Sequence, residues 1–298
     1  MRGCTTPAWK SDAAKPPGML SYRHAYHAGN FADVLKHLVV CRILGYLTQK
    51  PAPLRYIDTH AGAGAYRLDT PEALLNAEFR QGIALLRERV DLPAGLAAYR
   101  DLVAEFNGDG VLRRYPGSPW FAQRLLRAQD RLELCELHPR DFPALRRLFR
   151  DDRRAACHFE DGFARSLALV PPQERRALVL IDPSYELKQD YTRVVDHVRA
   201  LHRRFATGVY AVWYPLVESR RVNALEKAFI SSGMRRIHLY EVCRSAHHGG
   251  RGMTGAGMIV VNPPWMLREE VRAALDLFAP LVSDTGEPLY RIVELAGE

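Results

Sequence analysis

Residues 177–186 read ALVLIDPSYE, and the reading of this stretch decides the fold. The run from Ala177 to Ile181 is apolar without a break. A half-exposed strand would alternate; an unbroken run marks a strand buried on both faces of a parallel sheet. It stops at Asp182-Pro183-Ser184-Tyr185, which sets a carboxylate, a rigid turn and an aromatic ring at the carboxyl end of a central strand. Open α/β sheets bind their ligands at that edge.

Working outward, other short strands end the same way. Residues 54–58 (LRYID) run into Thr59-His60-Ala61-Gly62-Ala63-Gly64, the pattern of a first βα turn in a nucleotide-binding sheet. It is neither GxGxxG nor a P-loop. An acidic residue, Asp58, just before the glycines disfavours a pyrophosphate and suits a cationic ligand such as S-adenosylmethionine. Residues 131–136 (RLELCE) end on Glu136, where a carboxylate can accept both hydroxyls of a ribose. Residues 155–160 lead into Asp161-Gly162, where a carboxylate can accept from an adenine amino group.

Between the first two of these strands lies a stretch that breaks the βαβ alternation. Helical spacing over 72–90 and 95–107 predicts a helical insertion at about 66–114, beside the cofactor turn. Tyr115-Pro116-Gly117-Ser118-Pro119 then reads as a loop, with Ser118 as N-cap of a helix over 120–126 or just before it. Downstream of 177–186, helices are expected at 191–205, 219–232 and 266–278, and strands at 208–214, 235–243 and 257–262. The last two strands are joined by a glycine-rich loop too short for a helical crossover, so they form an antiparallel hairpin. The sum is a class I (Rossmann-like) S-adenosylmethionine-dependent methyltransferase: a seven-stranded, mostly parallel sheet, its last strand antiparallel, with a helical insertion after the first strand.

The start of the chain is read in two parts. Residues 1–18 are polar and proline-bearing, lack an apolar signal core, and are expected to form a disordered extension ahead of a domain at 19–298. Residues 21–30 (SYRHAYHAGN) then crowd tyrosines, histidines and an arginine before a helix over 31–47, with Lys36 and His37 on or beside its apolar face. This segment reads as an arm over the active site.

Two tetrapeptides compete for the chemistry. Adenine amino-methyltransferases share a motif of Asn, Asp or Ser, then Pro-Pro, then an aromatic residue. Asn262-Pro263-Pro264-Trp265 fits it letter for letter; Asp182-Pro183-Ser184-Tyr185 departs at the third position. Position in the sheet selects Asp182, because Asn262 closes an antiparallel strand and faces the opposite edge. The adenine amino nitrogen is a poor nucleophile, its lone pair delocalised into the ring. Asp182 and the carbonyl of Pro183 can accept its two hydrogens and direct the lone pair at a methyl group, and Tyr185 can stack on a base taken out of its helix.

The stretches MLSYRHAYHAGNFADVLKH, YIDTHAGAG, YPGSP, ELHP, LIDPSYE, FATGVYAVWYP and RGMTGAGMIVVNPPW resemble the RlmJ family of 23S ribosomal RNA adenine-N6 methyltransferases, from about Met19 to the C-terminus. The resemblance implies S-adenosylmethionine as methyl donor without a metal, and 23S rRNA as substrate for a monomeric enzyme. It carries over His37, His60, Ser118, Glu136, Asp161 and Gly162 as cofactor contacts, with Gly62 in the cofactor turn. Asp182 is the catalytic residue it implies, and Tyr22, His24 and Lys36 face the substrate RNA. Ser184 is the departure within a key motif.

Composition agrees and excludes other classes. The formal net charge is +8, from 42 Lys and Arg against 34 Asp and Glu, which favours a polyanionic partner. No apolar run reaches the ~18 residues of a membrane span, and five scattered cysteines without a CxxC pair fit a reduced cytoplasmic protein rather than a disulfide or zinc framework. A DNA adenine methyltransferase and a non-catalytic RNA-binding protein that keeps the fold remain the alternatives.

Overall fold

A computed structural model of the chain describes residues 23–187, 189–245 and 253–298. Tyr22, the extension expected at 1–18, and part of the glycine-rich loop lie outside the described residues. In chain order the helices are α1 (Phe31–Leu47), α2 (Pro71–Asn76), α3 (Ala94–Asn107), α4 (Ser118–Leu125), α5 (Phe142–Phe149), α6 (Gly162–Leu169), α7 (Asp190–Arg204), α8 (Ser219–Ile230) and α9 (Leu267–Val282). The strands are β1 (Arg55–Asp58), β2 (Ala65–Arg67), β3 (Arg114–Pro116), β4 (Arg131–Cys135), β5 (Ala155–His158), β6 (Ala177–Ile181), β7 (Val209–Leu216), β8 (Ile237–Cys243), β9 (Gly255–Val261) and β10 (Tyr290–Ala296).

The main sheet has the order β10-β8-β9-β7-β6-β1-β4-β5. Strands β5, β4, β1, β6 and β7 are mutually parallel. Strand β9 runs against both β7 and β8, and β10 runs against β8. Among the described residues the sheet therefore has eight strands, not the expected seven, and two antiparallel ones. The extra strand, β10, is an edge strand that stays partly exposed along its length, so it lacks the apolar run that betrays the central strands.

Two cores form on opposite faces because strand side chains alternate. From β6, Leu178 and Leu180 join α1, α3, α4 and α9 on one face, while Ala177, Val179 and Ile181 join α7 and α8 on the other. This double burial explains the unbroken apolar run. Asp58 lies opposite Leu134 and Leu180, so the turns after β1, β4 and β6 share one edge. Asn262 sits at the other: its amide donates to the carbonyls of Ala206 and Gly208, at 2.8 Å each, just before β7 begins.

Helix α1 has the expected bounds but is not amphipathic. It is buried from Phe31 to Cys41 without interruption, Asp33, Lys36 and His37 included, because it lies between the sheet and α3, α4 and α9. Its N-cap is Asn30, whose side chain accepts from the Asp33 N–H at 3.0 Å.

The insertion differs more from expectation. Strands β2 and β3 pair as an antiparallel ribbon at its base. The single helix expected over 72–90 is instead α2 followed by two short 3₁₀ turns, Glu78–Gln81 and Ile83–Leu85. Its apolar spacing is misleading, since Leu75 and Val90 are 72% and 99% exposed. What breaks the helix is docking onto the turn before α1. The Ile83 N–H donates to Gly29 O at 2.9 Å, and Glu78 accepts from Asn30 and pairs with His27, both at 2.9 Å. Gly82 permits this approach, for a Cβ there would stand 2.2 Å from Gly29 O.

That close backbone contact gives a test. Gly82→Ala should lower stability by about 1–3 kcal/mol, the range for overpacking a site that cannot relax. The measurement is the urea midpoint, and an unchanged midpoint would show that the insertion is not held at Gly29.

Candidate active site

The turn after β1 is built to bring backbone close to a ligand. Thr59 is tied to β6 through its N–H and its hydroxyl, which donate to Leu180 O at 3.1 and 3.0 Å. The Ala61 N–H donates to Cys135 O at 2.8 Å. Gly62 has φ +61°, where a Cβ would stand 2.1 Å from the Tyr66 hydroxyl. Gly162, at the start of α6, leaves no room either: a Cβ would fall 1.9 Å from Thr59 O. Both glycines therefore shape a narrow cradle rather than a flexible loop.

Carboxylates ring this cradle, and they do different jobs. Glu136 accepts from the Gly62 N–H at 2.7 Å and from the His138 N–H at 2.5 Å, which fixes the glycine turn to the end of β4. Burial pushes its carboxyl up to about 6, against the pull of those two N–H donors. Asp161 caps α6 by accepting from the Phe163 N–H at 2.9 Å and pairs with Arg193 at 2.7 Å. Burial opposes its ionisation, but those donors outweigh burial and hold it below the usual carboxylate range. Asp58 faces inward rather than into the cavity. It accepts from the Tyr56 and Ser118 hydroxyls, each at 2.7 Å, and burial pushes it up to about 6. Ser118 is thus not the helix cap expected of it; Gly117 holds the cap position of α4, and the serine hydroxyl locks β1 to that helix.

Two imidazoles complete the cradle. His60 pairs through Nδ1 with the Thr59 hydroxyl at 2.8 Å. That hydroxyl donates to Leu180 O, so Nδ1 carries the proton and Nε2 is left as an acceptor. Burial pushes His60 down to about 4, so it is neutral at pH 7. His37 pairs through Nδ1 with the Tyr115 hydroxyl at 2.7 Å, and its buried Nε2 has no partner among the described residues. Burial likewise holds it well below the usual histidine range. The carboxylates and the His60 ring offer acceptors to whatever occupies the cradle, and its two cations, Lys36 and Arg193, are paired with carboxylates.

Asp182 follows β6 and stands between two cavities. The first is the cradle just described; the second is walled by Tyr185, Tyr191, Asn30 and three insertion residues, Asn76, Glu78 and Gln81. His24, Lys36, Asp182, Ser184 and Trp213 line both. Pro183 faces the first cavity and Tyr185 the second. The Tyr185 hydroxyl donates to Trp213 O at 2.7 Å, and its ring packs on Tyr191 with centroids 4.7 Å apart. This fastens the residue in the left-handed region, at φ 54°.

Lys36 reaches Asp182 Oδ2 from α1 at 2.8 Å, with its side chain only 6% exposed. It reaches Asp33 Oδ1 at 2.8 Å as well, and Asp33 Oδ2 pairs with His24 Nε2 at 2.9 Å. Burial opposes the charge on Lys36, but the two carboxylates outweigh it and raise its pKa, so it is an ammonium at every physiological pH. Asp182 Oδ1 accepts no hydrogen bond among the described residues and is available to a ligand.

Of the sequence-expected site residues, the structure gathers His24, Lys36, His37, His60, Gly62, Ser118, Glu136, Asp161, Gly162, Asp182 and Pro183 around the first cavity. Tyr185 belongs to the second. Sequence reasoning missed Asp33, Arg193 and Trp213. For Asp33 a signal existed: Asn30, Asp33, Lys36 and His37 recur at helical spacing, a polar stripe along an otherwise apolar helix. Trp213 lies toward the carboxyl end of β7, next to β6, where an aromatic residue borders the same edge.

Comparison with known proteins agrees with this geometry. The chain is 48% identical over 257 residues to "Ribosomal RNA large subunit methyltransferase J" of Escherichia coli (strain K12), and 45% identical over 258 residues to the protein of the same name from Haemophilus influenzae. Each alignment covers 86% of this chain and 92% of the relative. A crystal structure of a Legionella pneumophila protein superposes with a TM-score of 0.83 at 35% identity, covering 90% of this chain and 98% of that one. Residues 51–291 match the family model described as "Ribosomal RNA large subunit methyltransferase D, RlmJ". With the family model spanning most of its length, and a sheet whose first, second and fourth parallel turns converge on Asp182, the chain belongs to the RlmJ family of ribosomal RNA large subunit methyltransferases.

Proposed function

We propose that this protein transfers the methyl group of S-adenosylmethionine to the exocyclic N6 of an adenosine in 23S ribosomal RNA. The observation that carries the reading is the place of Asp182, held by Lys36 where two cavities meet. One cavity suits the cofactor and the other a base taken out of its helix.

The cradle fits S-adenosylmethionine on its own features. Gly62 and Gly162 sit where side chains are sterically barred, and the orphaned Nε2 of His37 needs a partner. When bound, the cofactor supplies an electrophilic methyl group on a sulfonium. Glu136 is placed to accept ribose hydroxyls, and Asp161 and His60 to receive other polar edges. Asp182 Oδ1 accepts one hydrogen of the adenine amino group, and the Pro183 carbonyl accepts the other. This orients the nitrogen lone pair and stabilises the positive charge that grows there. Asp182 then takes the departing proton. Tyr185, immobilised by Trp213 and Tyr191, stacks on the base. Ser184 removes a ring restraint without removing either acceptor.

The insertion contributes Asn76, Glu78 and Gln81 to the second cavity, which supports a substrate-side role for the lobe at about 66–114. The net charge of +8 supports a phosphate-rich partner. No helix among the described residues is long and apolar enough to cross a membrane. The reading takes the enzyme to act as a cytoplasmic monomer, away from membranes and without a metal ion.

The direct test of the polymer is methyl transfer to naked 23S rRNA fragments and to duplex DNA side by side. Transfer to RNA alone is expected; preferential transfer to DNA would replace the substrate assignment. Asp182→Asn keeps size but not charge, and should lower kcat by about 10²–10⁴-fold with cofactor affinity little changed. Turnover near wild type would remove Asp182 from the chemistry. Cofactor affinity should also depend on pH. Glu136 titrates near 6, so affinity should be level from about pH 7 to 8 and fall as pH drops through about 6, where the acceptor becomes protonated. Calorimetric titration checks this, and Glu136→Gln should flatten the profile; an equally steep profile in that variant would assign the titration elsewhere.

A further inference from the structure

We propose that Asp33 is a positioning residue for the methyl transfer: it shares the Lys36 ammonium with Asp182 and so keeps Lys36 from fully neutralising the carboxylate that faces the reacting nitrogen. The inference rests on the functional reading given above for Asp182.

The geometry is symmetrical. Lys36 Nζ stands 2.8 Å from Asp33 Oδ1 and 2.8 Å from Asp182 Oδ2. Asp33 and Lys36 lie on the same face of α1, three residues apart. The side chain of Asp33 is 2% exposed and that of Asp182 15%. Asp33 borders the second cavity from beneath Lys36 and is almost wholly buried, while Asp182 is the more exposed of the two. Lys36 therefore divides its charge between two carboxylates, and His24 pairs with the second oxygen of Asp33.

Helix capping does not account for that buried charge, which is instead paired with Lys36 and His24. The cap of α1 is already made by Asn30. The Gly29 N–H, which donates to Asp33 Oδ2 at 2.8 Å, would be served as well by a neutral amide oxygen. Burying a carboxylate is costly unless its charge is used. Its use here follows from the reaction. The amino nitrogen gains positive charge as the methyl group arrives, so a carboxylate at Asp182 that Lys36 does not fully neutralise stabilises the transition state more than the bound substrate. If Lys36 had Asp182 as its sole partner, the pair would be neutral and that preference would shrink. Burial opposes the ionisation of Asp33, but His24 and Lys36 outweigh it and keep its carboxyl well below the usual range.

The test is Asp33→Asn, which preserves size and the acceptor for Gly29. Expected is a fall in kcat of at least about tenfold, with KM for rRNA unchanged within about twofold, because charge and not substrate contact is lost. Lys36→Gln and the double variant complete a cycle. If Asp33 acts through Lys36, adding Asp33→Asn to Lys36→Gln costs nothing further. Wild-type kcat in Asp33→Asn, a KM that rises with a lowered melting temperature, or a full further loss in the double variant would each overturn the inference. Where Lys36→Gln leaves no measurable turnover, the kcat–KM split decides. Absence of transfer by the wild-type chain would instead strike the functional reading, and this inference with it.

Discussion

The contact on which the active site depends is the one between the Lys36 ammonium and the Asp182 carboxylate, at 2.8 Å. It joins the most deeply buried helix to the turn after the central strand. A buried ammonium is tolerable only with close anionic partners, and α1 supplies one of them, Asp33, from its own face. The consequence is mutual constraint: the helix cannot rotate without stranding a charge, and the Asp182 turn cannot shift without losing its partner. Everything that holds α1 in place therefore also holds Asp182 in place. That includes the Asn30 cap, the insertion docked on Gly29, and the apolar packing between the sheet and α3, α4 and α9.

Around that contact the sheet edge sorts its carboxylates by surroundings. Glu136 and Asp161 hold backbone N–H groups while keeping lone pairs free for a ligand. Asp58 spends its acceptors on Tyr56, Ser118 and the His60 N–H, and serves as a brace between β1 and α4. Three acidic strand ends that look equivalent in sequence are thus two ligand-facing groups and one structural one. Burial also pushes the two histidines of the cradle down and keeps them neutral, and the two cations that line the same cavity, Lys36 and Arg193, are each paired with a carboxylate. Family membership, with relatives named as ribosomal RNA methyltransferases, fits a site organised in this way.

Much of this was legible in the sequence, for stated physical reasons. Strands buried on both faces announce themselves as apolar runs, so β6 is read to the residue, and counting parallel strands rightly sends Asn262 to the far edge despite its better motif. Helix α1 was legible in extent but not in environment, because apolar spacing does not show that the polar residues between are buried too. Three features were not legible. Strand β10 is a half-exposed edge. The helix expected over 72–90 fails because Gly82 and Glu78 are committed to contacts some fifty residues away, around Gly29, and local spacing carries no trace of them. Ser118 looks like a cap and instead bonds across to Asp58, a contact sixty positions distant in the chain. What sequence cannot show in each case is a long-range partner.

The central claim is that the junction at Asp182 presents an adenosine amino group to the cofactor. The measurement that tests it most directly is nucleoside mass mapping of 23S rRNA from cells with and without the gene, with complementation by the wild-type chain. The account predicts that one N6-methyladenosine disappears in the deletion and returns on complementation. An unchanged N6-methyladenosine inventory, or the loss of a different methylated nucleoside, would contradict it.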